Sequence, residues 1–396
     1  MSRFSKDKIK VLLSNFGGKG MGMIASILVV RILSTEDFAE WSYYKSFLAF
    51  LLPLSGLGMD QVFLRYSYIK EVDKEELKKQ TFSLAVFTGV FSTLLATFVI
   101  YWVRPGDYVN TLLLLLVLLQ LTTVQFNLFQ KFYFRIVNDF ARYSQVVFLS
   151  SVFTGLALII GALIGIEVMA LLVALCFIIY YLFSSVRMSF SFSSIKTISM
   201  ERLKYGVSIG VGGLFNKSIY VFDIIYIGNI LNNQELLAGY KVASLLPFNL
   251  ILFTGAILTV DFGDFVNFKR KDIINYLISY WKKVLLLLVP VGIVIFLFGE
   301  LIVKLLFGSR YEEYGELMFF YFMLVALIVL LRQPVGKMLT ALGYATYNSV
   351  VTVAQAIMLG ALFILPFELS ATQLIMYFAC TVLLLSSIQF IKLLRL

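Results

Sequence analysis

The chain has 396 residues, of which 60% are hydrophobic and 14% are charged, and its formal net charge is +10. A soluble domain is nearer half apolar and a quarter charged, so this composition excludes an ordinary soluble protein and indicates a polytopic membrane protein. The sequence contains no histidine, which argues against an enzyme that needs an imidazole base. Both cysteines, Cys176 and Cys380, fall in apolar runs, which argues against a disulfide framework.

The apolar runs predict helices rather than the short alternating strands of a barrel. A helix needs about 20 apolar residues to cross a bilayer, and on that basis we predict an all-α protein of about twelve transmembrane helices. The predicted spans are 9–33, 42–66, 80–103, 108–131, 143–165, 168–187, 204–231, 238–262, 279–306, 314–340, 345–366 and 370–392. The loops between them are short, and none is long enough for a soluble domain.

Basic residues concentrate in alternate loops, which is the pattern of cytoplasmic loops in membrane proteins. Many of these basic residues lie in the segments 3–10 and 70–79. Lys131 and Arg332 are predicted to lie on the same, cytoplasmic side of the membrane. The opposite segment, 34–40, is acidic and is predicted to be an outer loop. Both termini are therefore predicted to be cytoplasmic. The net positive charge is explained by this asymmetry, so no nucleic-acid partner is expected.

The two halves of the chain resemble each other. Several glycines surround Lys19, and several precede Lys217, which follows 198 residues later, half of the chain length. This match predicts two parallel repeats related by an axis along the membrane normal. We expect a six-helix lobe at 1–190, a cytoplasmic linker at 191–203 and a second six-helix lobe at 204–396.

Lys19 and Lys217 are the strongest candidates for substrate binding. Each lies near the middle of a predicted span, where a charge is costly and usually faces a protein interior or a water-filled path. We expect both to face a central cavity and attract an anionic group such as a phosphate; the alternative is that each reaches an interface or neutralises a carboxylate. The glycines around them either allow close helix packing or let the spans bend. Polar candidates on the same two spans are Asn15, Asn216 and Tyr220.

Three further cations, Arg31, Lys45 and Lys241, are predicted near the outer ends of spans one, two and eight. In one interpretation they form a second cationic ring at the outer mouth of the cavity and also bind substrate. In the other they are ordinary interfacial residues that flank a span. The sequence leaves both interpretations open.

Three carboxylates, Asp60, Asp223 and Asp261, lie within or at the ends of predicted spans and are candidates for coupling transport to Na⁺ or H⁺. The alternatives are a salt bridge of Asp60 with Arg65, a solvated Asp261 at a helix end, and a pair of Asp223 with Lys217. The chain has no G-x-x-x-x-G-K-[ST] motif, so nucleotide hydrolysis is not expected. No catalytic residue, cofactor or metal site is predicted.

Two segments carry a family resemblance. Arg-Ile-Leu-Ser-x-Glu-Asp-Phe at 31–38 precedes a span rich in Trp and Tyr, and Gly-Met-Asp at 58–60 is followed by Arg65. These features make the segment 15–65 resemble the opening of Wzx-type polysaccharide flippases, which belong to the superfamily of multidrug, oligosaccharidyl-lipid and polysaccharide (MOP) exporters. The segment 205–243 resembles the seventh and eighth helices of the same family.

The resemblance implies a V-shaped pair of six-helix bundles around a cationic lumen, as in the related MATE drug exporters. It also implies a multi-pass protein of the bacterial inner membrane that is not an enzyme. Its expected function is to move a polyprenyl-diphosphate-linked oligosaccharide, the repeat unit of an O-antigen or capsule, to the outer leaflet by alternating access. Family members bind the diphosphate with lumenal Arg or Lys, a role that Lys19 and Lys217 match. Expected partners are this substrate, membrane lipids and, as a candidate, the glycan polymerase and export machinery.

Two alternatives remain at this point. A MATE-like exporter of small molecules has the same architecture, although paired lysines argue against the acidic lumen that suits cationic drugs. A membrane glycan polymerase or transferase belongs to another class. Such an enzyme normally has a large extracytoplasmic loop, whereas the longest candidate here, at 308–315, is short.

Overall fold

The computed structural model describes residues 3–67, 72–103, 110–183, 188–261, 265, 268–364 and 368–395. Within these ranges the chain forms α-helices, short 3-10 and π-helical segments and turns, and no β-strand. The prediction of an all-α protein is confirmed.

The helices of the described chain are numbered in order. The first nine are α1 (Arg3–Ile32), α2 (Thr35–Ser55), α3 (Met59–Tyr66), α4 (Lys74–Val103), α5 (Thr111–Ile136), α6 (Phe140–Ile164), α7 (Ile166–Phe183), α8 (Phe192–Lys196) and α9 (Met200–Lys217). They are followed by α10 (Phe222–Tyr226), α11 (Gln234–Val260), α12 (Arg270–Phe307), α13 (Gly315–Leu327), α14 (Gln333–Ala341), α15 (Ala345–Gly360) and α16 (Ala371–Leu394). The 3-10 segments are Ser218–Tyr220, Ser309–Tyr314 and Ala361–Ile364, and the π-helical segments are Ile227–Leu231 and Ile328–Arg332.

Every predicted span coincides with a helix or a broken helix of the described chain. By length and composition, eight of the described helices can cross a membrane, or nine if the broken pair Met200–Tyr220 and Phe222–Leu231 counts as one span. The apolar part of α7 is Ile166–Leu182, which is shorter than the others. The number of twelve spans and the cytoplasmic termini stay predictions.

The start of α2 differs from the sequence-based expectation. The helix begins at Thr35, seven residues before the predicted span, because Ser34 caps it: its Oγ accepts a hydrogen bond from the Asp37 N–H at 3.0 Å. Glu36 and Asp37 occupy the first turn, where a carboxylate is stabilised by the helix dipole. The acidic segment 34–40 is therefore mostly helical rather than a loop, whereas its place on the outer side of the membrane stays a prediction.

A tight corner joins α2 to α3. Leu57 and Gly58 have positive φ angles of 46° and 63°, which turn the chain through the left-handed region. A Cβ atom at Gly58 would lie 2.6 Å from the carbonyl oxygen of Gly206 on α9. Both the backbone conformation and the approach of α9 therefore require glycine at this position.

Contacts between Cα atoms divide the chain into two compact units. Unit 1 contains the residues up to Lys217 except Phe38–Tyr43, and unit 2 contains Phe38–Tyr43 and the residues from Ser218 onward. This boundary follows α9, whereas the sequence suggested one at 191–203. The division into two six-helix lobes stays a prediction.

The core of unit 1 includes aromatic side chains that join α3, α4 and α5. The rings of Phe63 and Phe129 have centroids 5.9 Å apart, and Phe82 packs edge-on against Phe129 at 5.5 Å. All three side chains are buried. Such pairs hold helices together by close packing and by the geometry that aromatic rings prefer.

In unit 2, α12 shows the pattern of a helix at the lipid-facing surface. It buries Ile273, Leu277 and Val284 along one face at helical spacing. Its other face is equally apolar but exposed, with Leu286 at 79% and Phe296 at 67% exposure. Apolar side chains on both faces are expected for a helix that has protein on one side and hydrocarbon on the other.

Candidate functional site

Lys19 lies at the centre of α1, on a helix whose glycines pack against α6. A Cβ at Gly18 would lie 2.7 Å from the Oγ of Ser151, so α1 and α6 approach closely here. Lys19 itself is half-buried, and at the next glycine, Gly20, the described residues place no contacting atom within 4 Å of where a Cβ would lie. The segment around Lys19 therefore has one tightly packed face and one open face.

Lys217 is the last residue of α9, and it is also half-buried. After it the chain forms the 3-10 turn Ser218–Tyr220 and leaves the helical region at Val221, whose φ is −142°. A cation at a helix C-terminus is stabilised by the helix dipole, by roughly 0.3–1 kcal/mol. Because α9 ends at Lys217, its helix dipole offsets part of the cost of placing the lysine charge within span seven.

The glycines of α9 serve close packing. A Cβ at Gly206 would lie 2.6 Å from the Leu57 carbonyl oxygen, and one at Gly213 would lie 2.7 Å from the Cβ of Pro53. The break in this span comes after Lys217, several residues beyond these glycines. Of the two interpretations of the glycines, the structure supports close packing at these positions.

Four other predicted site residues lie on the same two spans as the lysines. Asn216 is exposed beside Lys217, and Tyr220 lies in the 3-10 turn of unit 2 with its ring packed edge-on against Phe248 at 5.8 Å. The side chain of Asn15 lies outside the described part of α1. Arg31 is exposed in the last turn of α1.

Lys45 is deeper in its helix than the sequence suggested. Because α2 begins at Thr35, Lys45 lies about 15 Å along the helix axis from its start. Its Nζ donates to the Gln120 Oε1 of α5 at 3.0 Å, within unit 1. Lys45 therefore contacts the interior of unit 1, and its position relative to the outer membrane surface stays a prediction.

One buried face of α5 carries polar atoms without hydrogen-bond partners among the described residues. Four side chains at spacings of three and four residues share this face. The unpartnered atoms are Gln120 Nε2, Thr123 Oγ1, Asn127 Nδ2 and both Nε2 and Oε1 of Gln130. Unpaired buried polar groups are costly, so this face of α5 differs from a simple apolar packing surface.

Asp223 is the centre of a buried polar cluster in unit 2. Its side chain is 1% exposed and accepts hydrogen bonds from the Ile224 N–H at 2.8 Å and from the Tyr321 hydroxyl. Tyr240 packs edge-on against Tyr321 with ring centroids 4.8 Å apart. Lys241 attracts the Asp223 carboxylate electrostatically without a direct ion pair. The structure thus brings together Asp223 and Lys241, which the sequence assigned to separate roles.

The other two carboxylates are placed differently. Asp60 is half-buried and accepts from the Gln61 side chain at 2.9 Å, while Arg65 stacks over the ring of Tyr205 at 4.4 Å. The alternative of an Asp60–Arg65 salt bridge is wrong, because residues five apart lie on different sides of a helix. Asp261 follows the end of α11 and accepts from the Tyr276 hydroxyl at 2.6 Å.

Arg332 is a charged residue whose place the sequence did not predict. It was grouped with the cytoplasmic loops, but it lies in the π-helical segment of a spanning helix and is 9% exposed. Its guanidinium donates to Gln389 Oε1 at 2.8 Å and to Thr352 Oγ1 at 2.9 Å. The signal available in the sequence was an arginine followed by Gln-Pro inside an otherwise apolar run.

Comparisons with known proteins agree with this architecture. The model of the family described as polysaccharide biosynthesis protein matches residues 28–316, well over half of the chain. No curated protein matches the chain. The resemblance to a polysaccharide family is confirmed by this match, and the export role stays a prediction.

Several solved structures share the fold across nearly the whole chain. An inward-facing multidrug-resistance MATE transporter of the MOP superfamily has a TM-score of 0.70 at 15% identity, covering 98% of this chain and 97% of its own. A MOP-superfamily transporter of Pyrococcus furiosus, described as having a binding pocket of reverse polarity, has a TM-score of 0.68 at 13% identity, covering 98% and 94%. An outward-facing multidrug-resistance MATE transporter has a TM-score of 0.64 at 13% identity, again covering 98% and 94%. At these identities the match shows the fold alone.

Proposed function

We propose that this chain, which belongs to the polysaccharide biosynthesis protein family and has the fold of MOP-superfamily transporters, is a flippase for a lipid-linked oligosaccharide. The substrate is a polyprenyl diphosphate that carries an O-antigen, capsule or exopolysaccharide repeat unit. The protein moves it from the inner to the outer leaflet of the bacterial inner membrane by alternating access. It acts without catalytic chemistry.

The observation that supports this proposal most strongly is Lys19. It lies at the middle of α1, half-buried, with open space beside the neighbouring Gly20. An ammonium group at that depth suits an anionic headgroup, because a charge-assisted hydrogen bond is stronger in a low-dielectric site than in water. Lys217, at the break of span seven, supplies the second cation for the diphosphate.

We infer that Asp223 couples this movement to an ion, and that the ion is a proton. Its two carboxylate oxygens accept hydrogen bonds from Ile224 and Tyr321, and the nearby Lys241 repels a metal cation. A proton needs only one carboxylate, so this arrangement favours H⁺ over Na⁺.

The test is complementation of a strain that lacks the gene. Lys19→Ala and Lys217→Ala should each strongly reduce surface glycan, and the double variant should abolish it, while the protein still inserts in the membrane. The matched control is Lys271→Ala, which removes an exposed cation from the first turn of α12. Normal surface glycan in the double alanine variant would reject the proposal.

Two outcomes would point to the rival functions. Normal surface glycan with increased drug sensitivity in the deletion strain indicates a small-molecule exporter. Glycosyl transfer by the purified protein indicates a membrane polymerase or transferase.

A further inference from the structure

The lipid-facing side of α12 ends in charged residues. Val289, Ile293 and Phe296 are exposed apolar side chains on one face of this helix, at spacings of three and four residues. The same spacing leads next to Glu300 and then to Lys304, and both of these side chains are exposed as well. The apolar face is therefore followed, about one helical turn later, by a carboxylate and an ammonium group.

The position of Glu300 along α12 suits a membrane surface. Residues 284–299 contain no charged side chain, and Lys283 comes directly before them. From Lys283 to Glu300 the helix rises about 25 Å, at ~1.5 Å per residue, and the hydrocarbon core of a bilayer is about 30 Å thick. We therefore expect Glu300 and Lys304 to lie at the depth of the lipid headgroups.

A cavity of about 640 Å³ adjoins these two charges, between the end of α12 and the start of α13. Glu300 and Lys304 line it together with Phe296 and Phe319, whose rings pack edge-on with centroids 5.1 Å apart. This volume falls within the range of about 300–1,000 Å³ that is typical of small-molecule sites. The cavity thus joins an aromatic surface to charges of both signs.

The backbone explains why the cavity lies at this point of the two helices. α12 leaves helical geometry at Phe298, where φ is −127° and ψ is 17°. A Cβ at Gly299 would lie 2.7 Å from the Gly315 carbonyl oxygen, and a Cβ at Gly315 would clash with the backbone nitrogen of Glu300. The two helices therefore touch backbone to backbone at Glu300, which fixes its main chain while its side chain stays exposed.

The charges that line the cavity do not all neutralise one another. Lys304 donates to both carboxylate oxygens of Glu312, at 3.1 and 2.9 Å. The other ion pairs of the described residues are Lys78–Glu75 and Arg142–Asp139. Glu300 therefore has no cationic partner in the described part of the chain. A ligand that brings a positive charge with N–H donors would form charge-assisted hydrogen bonds to it.

We propose that this cavity binds the headgroup of a phospholipid with a primary ammonium group, as in phosphatidylethanolamine. The ammonium donates to the Glu300 carboxylate. The phosphate accepts from Lys304, whose three N–H groups are not all used by Glu312. The acyl chains follow the exposed apolar face of α12. This lipid is a resident of the bilayer and not the transported substrate, so the inference does not rest on the proposed function.

The experiment uses the purified full-length chain in detergent, freed of co-purified lipid. Phosphatidylethanolamine, phosphatidylcholine and phosphatidylglycerol with identical acyl chains are each titrated, with the lipid-bound fraction in native mass spectrometry and the thermal unfolding midpoint as readouts. Phosphatidylethanolamine should bind saturably and raise the midpoint, because a ligand of the folded state stabilises it. Phosphatidylcholine should bind about tenfold more weakly, since its quaternary ammonium has no N–H group to donate.

Two variants separate the contacts to the ammonium and to the phosphate. Glu300→Gln should lose most of the preference for phosphatidylethanolamine over phosphatidylcholine. Lys304→Gln should weaken the binding of both lipids, because they share the phosphate. The matched control is Glu313→Gln, which removes an exposed carboxylate of the 3-10 segment Ser309–Tyr314 outside the cavity lining and should keep the preference.

Three results would overturn the proposal. The first is equal binding of phosphatidylethanolamine and phosphatidylcholine by the wild type. The second is a preference for phosphatidylethanolamine that Glu300→Gln retains in full. The third is tightest binding of phosphatidylglycerol, which has no ammonium group. Each of these results leaves the complementation test of Lys19 and Lys217 unaffected, so the two proposals can fail separately.

Discussion

Asp223→Asn tests the proposed coupling site most sharply. The substitution removes the charge of a fully buried side chain and keeps its shape. Asp223 accepts two hydrogen bonds, from the Ile224 N–H and the Tyr321 hydroxyl, and it partly balances Lys241. A hydrogen bond to a charged group contributes about 1.5–3 kcal/mol and one between neutral groups about 0.5–1.5, so the change should lower the free energy of unfolding by about 2 kcal/mol.

The functional readout is the response of transport to a pH gradient. Purified protein is reconstituted in vesicles that contain a lipid-linked oligosaccharide, and the flipping rate is measured with and without the gradient. The wild-type protein should flip the lipid faster in the gradient, whereas the Asp223→Asn protein should flip it at the same rate with and without the gradient. Glu316→Gln is the matched control, since Glu316 is an exposed carboxylate in the first turn of α13 and is not a coupling candidate. A folded Asp223→Asn protein that responds like the wild type would refute a coupling role for this residue.

Three further substitutions have defined outcomes. Lys19→Met should slow transport of the diphosphate-linked substrate about tenfold in the vesicle assay, through loss of one charge-assisted hydrogen bond, and a wild-type rate would contradict this. Gly206→Val should lower the free energy of unfolding by about 1–3 kcal/mol, because a side chain there meets the Leu57 carbonyl, and unchanged denaturant stability would argue against that contact. Lys45→Met should destabilise unit 1 by about 1–3 kcal/mol, because Gln120 loses its donor; Gln120→Leu in the same background should restore part of the loss.

The membrane architecture could be predicted from the sequence because it follows from composition and length. Long apolar runs have no stable structure in lipid other than helices and closed barrels, so their length alone locates the spans. Lys19 and Lys217 could be identified as candidate site residues for a similar reason, since a charge within an apolar run is costly and usually has a function.

The limits of the helices were harder to predict, because capping changes where a helix starts. Ser34 and the acids after it form the first turn of α2, so the segment that reads as an acidic loop is mostly helix. Because the helix starts seven residues earlier than expected, Lys45 lies in the interior of α2 rather than near its first residue. Hydropathy averaged over a window of residues assigns polar capping residues to the loop, although they belong to the helix.

The contacts between distant residues could not be predicted from one sequence. Arg332 and its partners Thr352 and Gln389 come from three different segments, and their meeting depends on the π-helical insertion before Arg332. The same holds for Asp223 and Tyr321, which are far apart in the chain but share a hydrogen bond. Hydropathy and spacing describe single helices, whereas these contacts depend on how helices pack.

The most direct test of the central claim is flipping by the purified protein in vesicles, measured as the fraction of a fluorescent polyprenyl-diphosphate oligosaccharide that an external quencher can reach. We predict that this fraction rises only with protein, that the double variant Lys19→Met, Lys217→Met loses the rise, and that Lys271→Met keeps it. A neutral glycolipid with the same sugars should not be moved. Equal flipping of the neutral lipid and the diphosphate lipid, or full activity of the double variant, would contradict the claim that these lysines carry the diphosphate across.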